Sequence, residues 1–219
     1  DIMEGDLIRT DGSGQVQIVF ADRTRVVVGP ASELQIEEFT RSTGEKASRF
    51  AVQAVGGTFR FLTGRSPKAA YELRTPTATM GIRGTEFDFT VDSRRLTNLV
   101  TFSGEVRICT RTNSCARVSG GCAVVTANRG RIVQPDTPEN KDSLIVENFP
   151  FILSQESLAS DYRVRVESCG EVGKTVTTQT TVPQKSRDRF EGGGDPDARG
   201  DTRGGDERGG GYDEGADEN

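Results

Sequence analysis

One hinged stretch, residues 75–89, constrains the fold of this chain more than any other part of the sequence. Pro76 fixes its own φ and biases the preceding residues toward extended geometry, while Gly81 and Gly84 supply backbone freedom at three-residue spacing. Apolar and polar residues then alternate over residues 86–91, which is the two-residue period of a half-buried strand. The sequence therefore predicts a sharp bend here, followed by a new strand.

The same two-residue period recurs through the first half of the chain. Apolar residues alternate with polar ones over residues 16–20 and 50–54, and glycine or proline interrupts the pattern about every ten residues. Residues 41–49 are polar and predict an exposed hairpin loop. Residues 99–102 and 106–108 predict a pair of strands around Ser103-Gly104. Short strands at this spacing predict an all-β fold, either a sandwich, a barrel or a solenoid.

Composition divides the chain into parts. Hydrophobic residues make up only 33% of it, and residues 186–219 contain ten glycines, eleven acidic and five basic residues, too little apolar surface to fold alone. The remainder carries 23 basic and 22 acidic residues. We predict a β domain over residues 1–133, a linker over 134–142, a disulfide-tethered extension over 143–185 and an acidic tail over 186–219, disordered unless bound.

The predicted extension has its own pattern of apolar residues. Ser154 could cap a short helix, and Tyr162, Val164 and Val166 alternate as a strand would. The piece is too small to fold alone, and its apolar side chains would be a liability if exposed. We expect it to pack on the β domain; the alternative is that it docks on another protein.

Four cysteines, an even number clustered near predicted strands, predict disulfides and an oxidising compartment. Zinc is the alternative, but the chain has no histidine and no Cys-x-x-Cys spacing. The polar turn between Cys109 and Cys115 favours a bond across two strand ends, which leaves Cys122 to pair with Cys169. Four cysteines allow three connectivities, so this pairing is a preference among them.

The segment TPTATMGIRGTEF resembles the signature of the FecR domain, a family named after an envelope regulator of ferric citrate uptake. Gly5–Thr10 and Val100–Ile108 resemble strands of that domain, and the resemblance covers residues 5–126. The family usually has another strand before Gly5, and its best-known members carry an anti-sigma segment and a membrane span. The resemblance implies a FecR-like β-sandwich or β-solenoid and protein contacts in signalling. The matching signature residues are Thr75, Pro76, Gly81, Arg83, Gly84, Thr85 and Phe87.

Candidate chemical groups in this stretch have structural explanations. Glu86 and Asp88 share one strand face and could form an acid–base pair, but alternation alone predicts a solvated face opposite the phenylalanines. Arg83 could hold an anion; we favour an ion pair with Glu86 or a neighbouring carboxylate. Without histidine no Ser-His-Asp triad can be assembled; lysine- or cysteine-based variants are the alternative, but we expect no catalytic residue and no enzymatic activity.

Other ligands also have little support in the sequence. The runs at 192–195 and 209–213 resemble calcium-binding glycine and aspartate repeats, but they lack a nine-residue period, so we expect no metal and no cofactor. A pI near 5.0 without a basic stripe argues against nucleic acid. No run of 18 apolar residues occurs, so the sequence predicts no membrane span.

These features predict a non-enzymatic protein, periplasmic or secreted, that binds another protein in the cell envelope or outside the cell. The resemblance implies a role in envelope sensing or signalling. The alternative is a structural subunit of an extracellular assembly, which would form homo-oligomers through strand edges or through the C-terminal segment.

Overall fold

The computed structural model describes residues 2–41 and 47–170 of the chain. These residues are mainly β-sheet, as the alternating pattern predicts. The strands are β1 (Leu7–Arg9), β2 (Val16–Val19), β3 (Arg25–Val28), β4 (Glu33–Arg41), β5 (Ala47–Leu62), β6 (Tyr71–Arg74), β7 (Ala78–Val91), β8 (Thr97–Thr110), β9 (Cys115–Ser119), β10 (Ala123–Ala127) and β11 (Ile132–Val133). The helices are α1 (Pro138–Asn148) and α2 (Pro150–Leu153), and single 3₁₀ turns cover Lys68–Ala70, Ser160–Tyr162 and Glu167–Cys169.

Three long strands bend at a glycine with positive φ. The bends lie at Gly57 in β5 (φ +107°), Gly84 in β7 (φ +60°) and Gly104 in β8 (φ +77°). Each bend changes the neighbours of its strand: β5 pairs with β4 and β6 before Gly57, and with β3 and β7 after it. Because glycine reaches positive φ at little steric cost, these positions fold one hydrogen-bonded network into two layers.

We call the two layers the open sheet and the covered sheet. The open sheet runs in the order β1, β4, first half of β5, β6, first half of β7, second half of β8, β9. The covered sheet runs in the order β2, β3, second half of β5, second half of β7, first half of β8, β10, β11. Neighbouring strands are antiparallel, except that β5 and β6 are parallel.

The bends correct the interpretation of the glycines. At Ser103-Gly104 the sequence predicts a turn between two strands, but β8 runs through both residues. In the hinged stretch the bend lies at Gly84, whereas Gly81 has ordinary strand geometry and β7 is continuous. β5 starts at Ala47, inside the predicted loop, of which residues 42–46 lie outside the described residues. A glycine interrupts the alternation identically whether a strand ends or bends, so the pattern alone cannot distinguish the two cases.

The main core lies between the two sheets. Phe50 is its centre, with ring centroids of four neighbouring aromatic residues at 4.8 to 5.7 Å. Phe59 stacks on Phe89 at 4.8 Å, which joins β5 to β7 within the covered sheet. Aromatic contacts of this kind stabilise a core beyond the area that they bury.

The chain after β11 packs on the outer face of the covered sheet. One cluster joins side chains of β8 and β10 to α1 and α2, and consists of Val100, Phe102, Cys122, Val124, Ile145, Phe149, Ile152, Val166 and Cys169. A second cluster contains Val27, Phe151, Leu158 and Tyr162. The C-terminal segment, residues 134–170, therefore packs on the β-sheet, as its apolar residues predict.

Local structure in the C-terminal segment differs from the sequence-based interpretation. α1 begins at Pro138, within the predicted linker, and Thr137 caps it by accepting a hydrogen bond from Asn140 N–H (3.2 Å). Proline is favourable at the first position of a helix, so here it marks a helix start. Ser154 is extended and follows α2 rather than capping a new helix. Residues 162–166 form no strand in the described part of the chain, because their apolar side chains pack on the covered sheet individually.

Candidate interaction surface

The Thr-Pro-Thr part of the hinged stretch is a buried turn rather than a surface site. Thr75 Oγ1 accepts a hydrogen bond from Ala78 N–H (2.9 Å) and lies 2.7 Å from Thr97 Oγ1. Thr97 also contacts Thr77 Oγ1 at 2.8 Å. Pro76 lies between the two threonines of this turn, which connects β6 to β7. The three hydroxyls therefore fix the turn to the start of β8.

The bends at Gly84 and Gly104 lie directly against each other. A Cβ atom on Gly104 would be 2.1 Å from the Gly84 carbonyl oxygen, so the backbones approach too closely for a side chain. Thr85 donates its hydroxyl to the Glu105 carbonyl oxygen at 2.9 Å, and Phe87 follows in the core. Arg83 Nη1 lies 3.9 Å from the half-buried Glu105 carboxylate, the kind of neighbouring partner that the sequence favours for Arg83.

Asp88 contradicts the prediction of a solvated face. The C-terminal segment covers that face, so Asp88 is completely buried and Glu86 is half-buried. The Asp88 carboxylate accepts hydrogen bonds from Arg60 Nε at 2.7 Å and Nη2 at 2.8 Å. Burial raises the pKa of Asp88 above its ordinary value, and the Arg60 guanidinium acts in the opposite direction. A carboxylate engaged in this way is not available as a general acid or base.

Arg60 connects the covered sheet to the C-terminal segment. Its Nη1 donates to Gln155 Oε1 and to the Tyr162 carbonyl oxygen (3.3 Å), and its Nη2 donates to the Phe151 carbonyl oxygen (3.2 Å). The rings of Phe102 and Phe151 lie 5.3 and 5.5 Å from its guanidinium carbon. The guanidinium is completely buried and its hydrogen bonds are satisfied, which is the condition for keeping a charge in a protein interior.

A second buried carboxylate, Asp22, could not be identified from the sequence, where it indicates only a turn. It accepts hydrogen bonds from the Ser66 hydroxyl (2.6 Å), the Tyr71 hydroxyl (2.8 Å) and Thr24 N–H (2.9 Å). It has no cationic partner within 4.0 Å among the described residues. Its donors come from the β2–β3 turn, from the loop before β6 and from β6 itself, so Asp22 holds these elements together.

The disulfides lie at two different places. Cys109 pairs with Cys115 across the β8–β9 hairpin, and Cys122 pairs with Cys169, which attaches the end of the C-terminal segment to the covered sheet. This is the connectivity preferred from the sequence. No described cysteine is free.

The outer face of the open sheet carries exposed polar side chains. Cross-strand pairing places Ala51, Glu72, Gly81 and Arg107 in one row across β5, β6, β7 and β8. A groove of about 440 Å³ lies over this row, with Gly81 as part of its floor. The turn Lys68–Ala70 borders this groove and Ala51 is buried, whereas Gly81 and Arg107, and Arg117 on β9, are exposed.

A second exposed feature is the free edge of β2. β2 pairs only with β3 among the described strands. Phe20 N–H donates to the Thr24 carbonyl oxygen (2.8 Å), and the alternation of antiparallel pairs then turns the backbone groups of Gln17 and Val19 toward the free edge. A groove of about 770 Å³ lies beside the edge, lined in part by Ile2, Met3, Val16, Phe20 and Phe39.

The described residues, 2–41 and 47–170, contain neither a cluster of metal ligands nor a helix that could span a membrane. Within these ranges no three or more metal-ligating side chains come together. The glycine-rich runs considered for calcium lie outside the described residues. None of the helices in the described part of the chain has the length and hydrophobicity that a bilayer span requires.

The β domain is similar in sequence to a known protein family. Residues 6–107, just under half of the chain, match the family model described as FecR protein. The match ends within β8, whereas the resemblance in sequence extends to residue 126.

The comparisons with individual proteins are more distant. The chain has no match among curated proteins. Two crystal structures of a candidate anti-sigma factor from Parabacteroides distasonis ATCC 8503 each align with 18% identity and a TM-score of 0.48. One alignment covers 64% of this chain and 64% of the solved chain; the other covers 59% of each. The chain thus spans less than two thirds of the solved proteins.

Proposed function

We propose that this protein is a non-enzymatic, exported protein-binding module of the FecR type, which acts in envelope sensing or signalling. The observation that carries the proposal is the difference between the two sheets. The outer face of the covered sheet is closed by the C-terminal segment, whereas the outer face of the open sheet presents a groove and exposed charged side chains. An accessible face on a rigid sheet is suited to contact with a partner protein.

Two further observations support the absence of catalysis and the location. The two carboxylates that are completely buried, Asp22 and Asp88, have all their contacts within the fold. The chain contains no histidine, which is the most common general base. Both disulfides favour an oxidising compartment, so the protein would act in the periplasm or after secretion.

Site-specific photo-crosslinking in the native envelope fraction tests this function. A crosslinking amino acid at Thr79, on the open face, should give one discrete protein adduct. The same amino acid at Glu139, exposed on α1, is the control and should give none. The proposal fails if neither position, nor one on the β2 edge, forms an adduct with another protein.

The free edge of β2 favours a second candidate function, a structural subunit of an extracellular assembly. Val19, on this edge, is 64% exposed, and an unpaired edge can add to a neighbouring sheet. Size-exclusion chromatography and electron microscopy distinguish the two functions. Polymers or rings that are lost in Val19→Lys would support the assembly, whereas monomers in both proteins would support the binding module.

A further inference from the structure

We propose that the groove over Gly81 binds an extended acidic segment of a partner protein, whose carboxylates contact Arg107 and Arg117. This inference rests on the proposed function, because the segment belongs to the protein that the module binds. Arg107 lies in the groove beside Gly81, and Arg117 lies directly opposite Arg107 on β9.

The first observation is that the fold does not require glycine at position 81. Gly81 has ordinary strand geometry, and a Cβ atom built on it would meet no atom within 4 Å. Glycine inside a strand normally weakens it, and such a residue often marks a place where another backbone approaches closely. Gly84 and Gly104 differ, because positive φ and the contact between their backbones account for them. The open floor at Gly81 is therefore free for a ligand backbone.

The second observation is the uncompensated positive charge beside this floor. Arg107 and Arg117 are exposed cross-strand neighbours, an arrangement that destabilises a sheet unless an anion lies between the guanidinium groups. Neither forms an ion pair with a carboxylate of the described residues, and the recorded side-chain contact of Arg107 is Cys115 Sγ at 3.4 Å.

The other charged residues of the groove already have partners. Arg49 pairs with Glu38 at 3.1 Å, and Glu72 pairs with Arg74 at 2.7 Å. The charge left unpaired in the groove is consequently positive. In the sequence, residues 97–133 contain five arginines and a single acidic residue, Glu105, which lies 3.9 Å from Arg83. A complementary occupant carries carboxylates, and the bare floor favours a polypeptide in extended conformation over a bulky polyanion.

A peptide-binding experiment with the full-length, disulfide-bonded protein tests the proposal. The probe is a fluorescein-labelled peptide of alternating Glu and Ala, and the matched probe carries Lys in place of Glu. By fluorescence anisotropy at low ionic strength, the acidic probe should bind at least about tenfold more tightly than the lysine probe. Added salt should weaken its binding, because exposed charges are screened.

Variants locate the site. Arg117→Glu should weaken binding of the acidic probe about tenfold, whereas Arg95→Glu, on the β7–β8 turn, changes the net charge equally and should have little effect. Gly81→Val should fill the floor and weaken binding by a similar factor without lowering the melting temperature. Ser119→Leu, on the same face outside the groove, adds apolar surface and should bind as the wild type does.

Several results would overturn the proposal. Equal losses in Arg95→Glu and Arg117→Glu would show a non-specific charge effect. Unchanged binding in Gly81→Val, or binding of dextran sulfate that Gly81→Val does not impair, would show that the floor is not the site. If the Thr79 crosslink to a partner forms equally in the wild type, Gly81→Val and Arg117→Glu, the partner does not bind through the groove, although the proposed binding function still holds. The absence of any partner crosslink would instead contradict the function itself.

Discussion

The two sheets are built from the same strands but differ on their outer faces. On the covered sheet, the outward residues Val100, Arg60 and Asp88 are buried, and Arg60 and Asp88 pair with each other. On the open sheet, outward residues such as Arg107 and Arg117 are exposed and charged. The same alternation thus produces a second core where the C-terminal segment covers the sheet, and an accessible surface around Gly81, Arg107 and Arg117, beside the short turn Lys68–Ala70.

The largest effect is expected from breaking the Arg60–Asp88 pair. Asp88→Asn would leave the Arg60 charge buried without its counter-ion, which costs about 3 to 5 kcal/mol of unfolding free energy. Replacing both residues with apolar ones, in Arg60→Met/Asp88→Leu, should recover much of this loss. Urea denaturation monitored by circular dichroism measures both changes.

The matched control lies on the open sheet. Arg83→Ala removes a cross-strand ion pair from the same strand. Arg83 is exposed and lies 3.9 Å from the half-buried Glu105, so the loss should change the unfolding free energy by less than about 1 kcal/mol. Equal effects of Asp88→Asn and Arg83→Ala would contradict the distinction between a covered and an open sheet.

The two disulfides should also differ in how much each contributes to the free energy of unfolding. Chain entropy predicts that the Cys122–Cys169 bond, with a sequence separation of 47, contributes about 4 kcal/mol, whereas Cys109–Cys115, with a separation of 6, contributes about 2 kcal/mol. Alanine replacement of each pair, followed by urea denaturation, measures the difference. Hydrogen exchange should increase in α1 and α2 only in the Cys122→Ala/Cys169→Ala protein. Increased exchange in β8 and β9 instead would show that this bond does not hold the C-terminal segment.

A smaller difference in stability is expected between substitution of a glycine at a bend, Gly104, and of a glycine in ordinary strand geometry, Gly81. Gly104→Ala places a Cβ atom 2.1 Å from the Gly84 carbonyl oxygen at a positive φ, so it should destabilise the protein by about 3 kcal/mol. Gly81→Ala meets open space in ordinary strand geometry and should leave stability unchanged or raise it by up to about 1 kcal/mol. Thermal unfolding of the two single variants tests this, and a large loss in Gly81→Ala would show that position 81 has a structural role.

These contrasts explain how much of the fold the sequence could predict. Alternation at 86–91 correctly placed Phe87 and Phe89 in the core, because strand geometry alone decides which residues share a face. It could not predict the burial of Asp88, since that depends on residues 151–162, far away in sequence. The FecR-like signature likewise agrees with the family model that matches residues 6–107, but Thr75 and Thr85 have structural contacts that only the three-dimensional arrangement shows.

The candidate surface was less predictable than the fold. The sequence gives no reason to treat Gly81 and Gly84 differently. Gly84 has a positive φ and forms a bend, whereas Gly81 has ordinary strand geometry and open space above it. Arg107 lies opposite Arg117 in the same β8–β9 register that places Cys109 opposite Cys115, so the predicted Cys109–Cys115 bond is compatible with this pair, but it does not show that residues 105–119 form two paired strands. The sequence therefore shows which residues are charged, but the strand pairing is needed to show which of them are neighbours on one face.

The smallest expected effect concerns the ionisation of two tyrosines, Tyr71 in the open sheet and Tyr162 in the C-terminal segment. Burial, assisted by the Asp22 carboxylate, raises the pKa of Tyr71 above 10.0, while the Thr24 hydroxyl opposes the shift. Burial also raises the pKa of Tyr162, and the nearby charge of Arg25 lowers it. Because both folded-state values lie above the unfolded value, the contribution of each hydroxyl to stability is present below pH 10.0 and is lost as the pH rises through the folded pKa.

Spectrophotometric titration of tyrosinate should therefore show later ionisation in the native protein than in urea. Tyr71→Phe should remove one late-ionising group and leave the signal of Tyr162, in the C-terminal segment, in place. If Tyr71 ionised at its ordinary pKa, its hydroxyl would not be held against Asp22, and the link from β6 to the β2–β3 turn would have to be reconsidered.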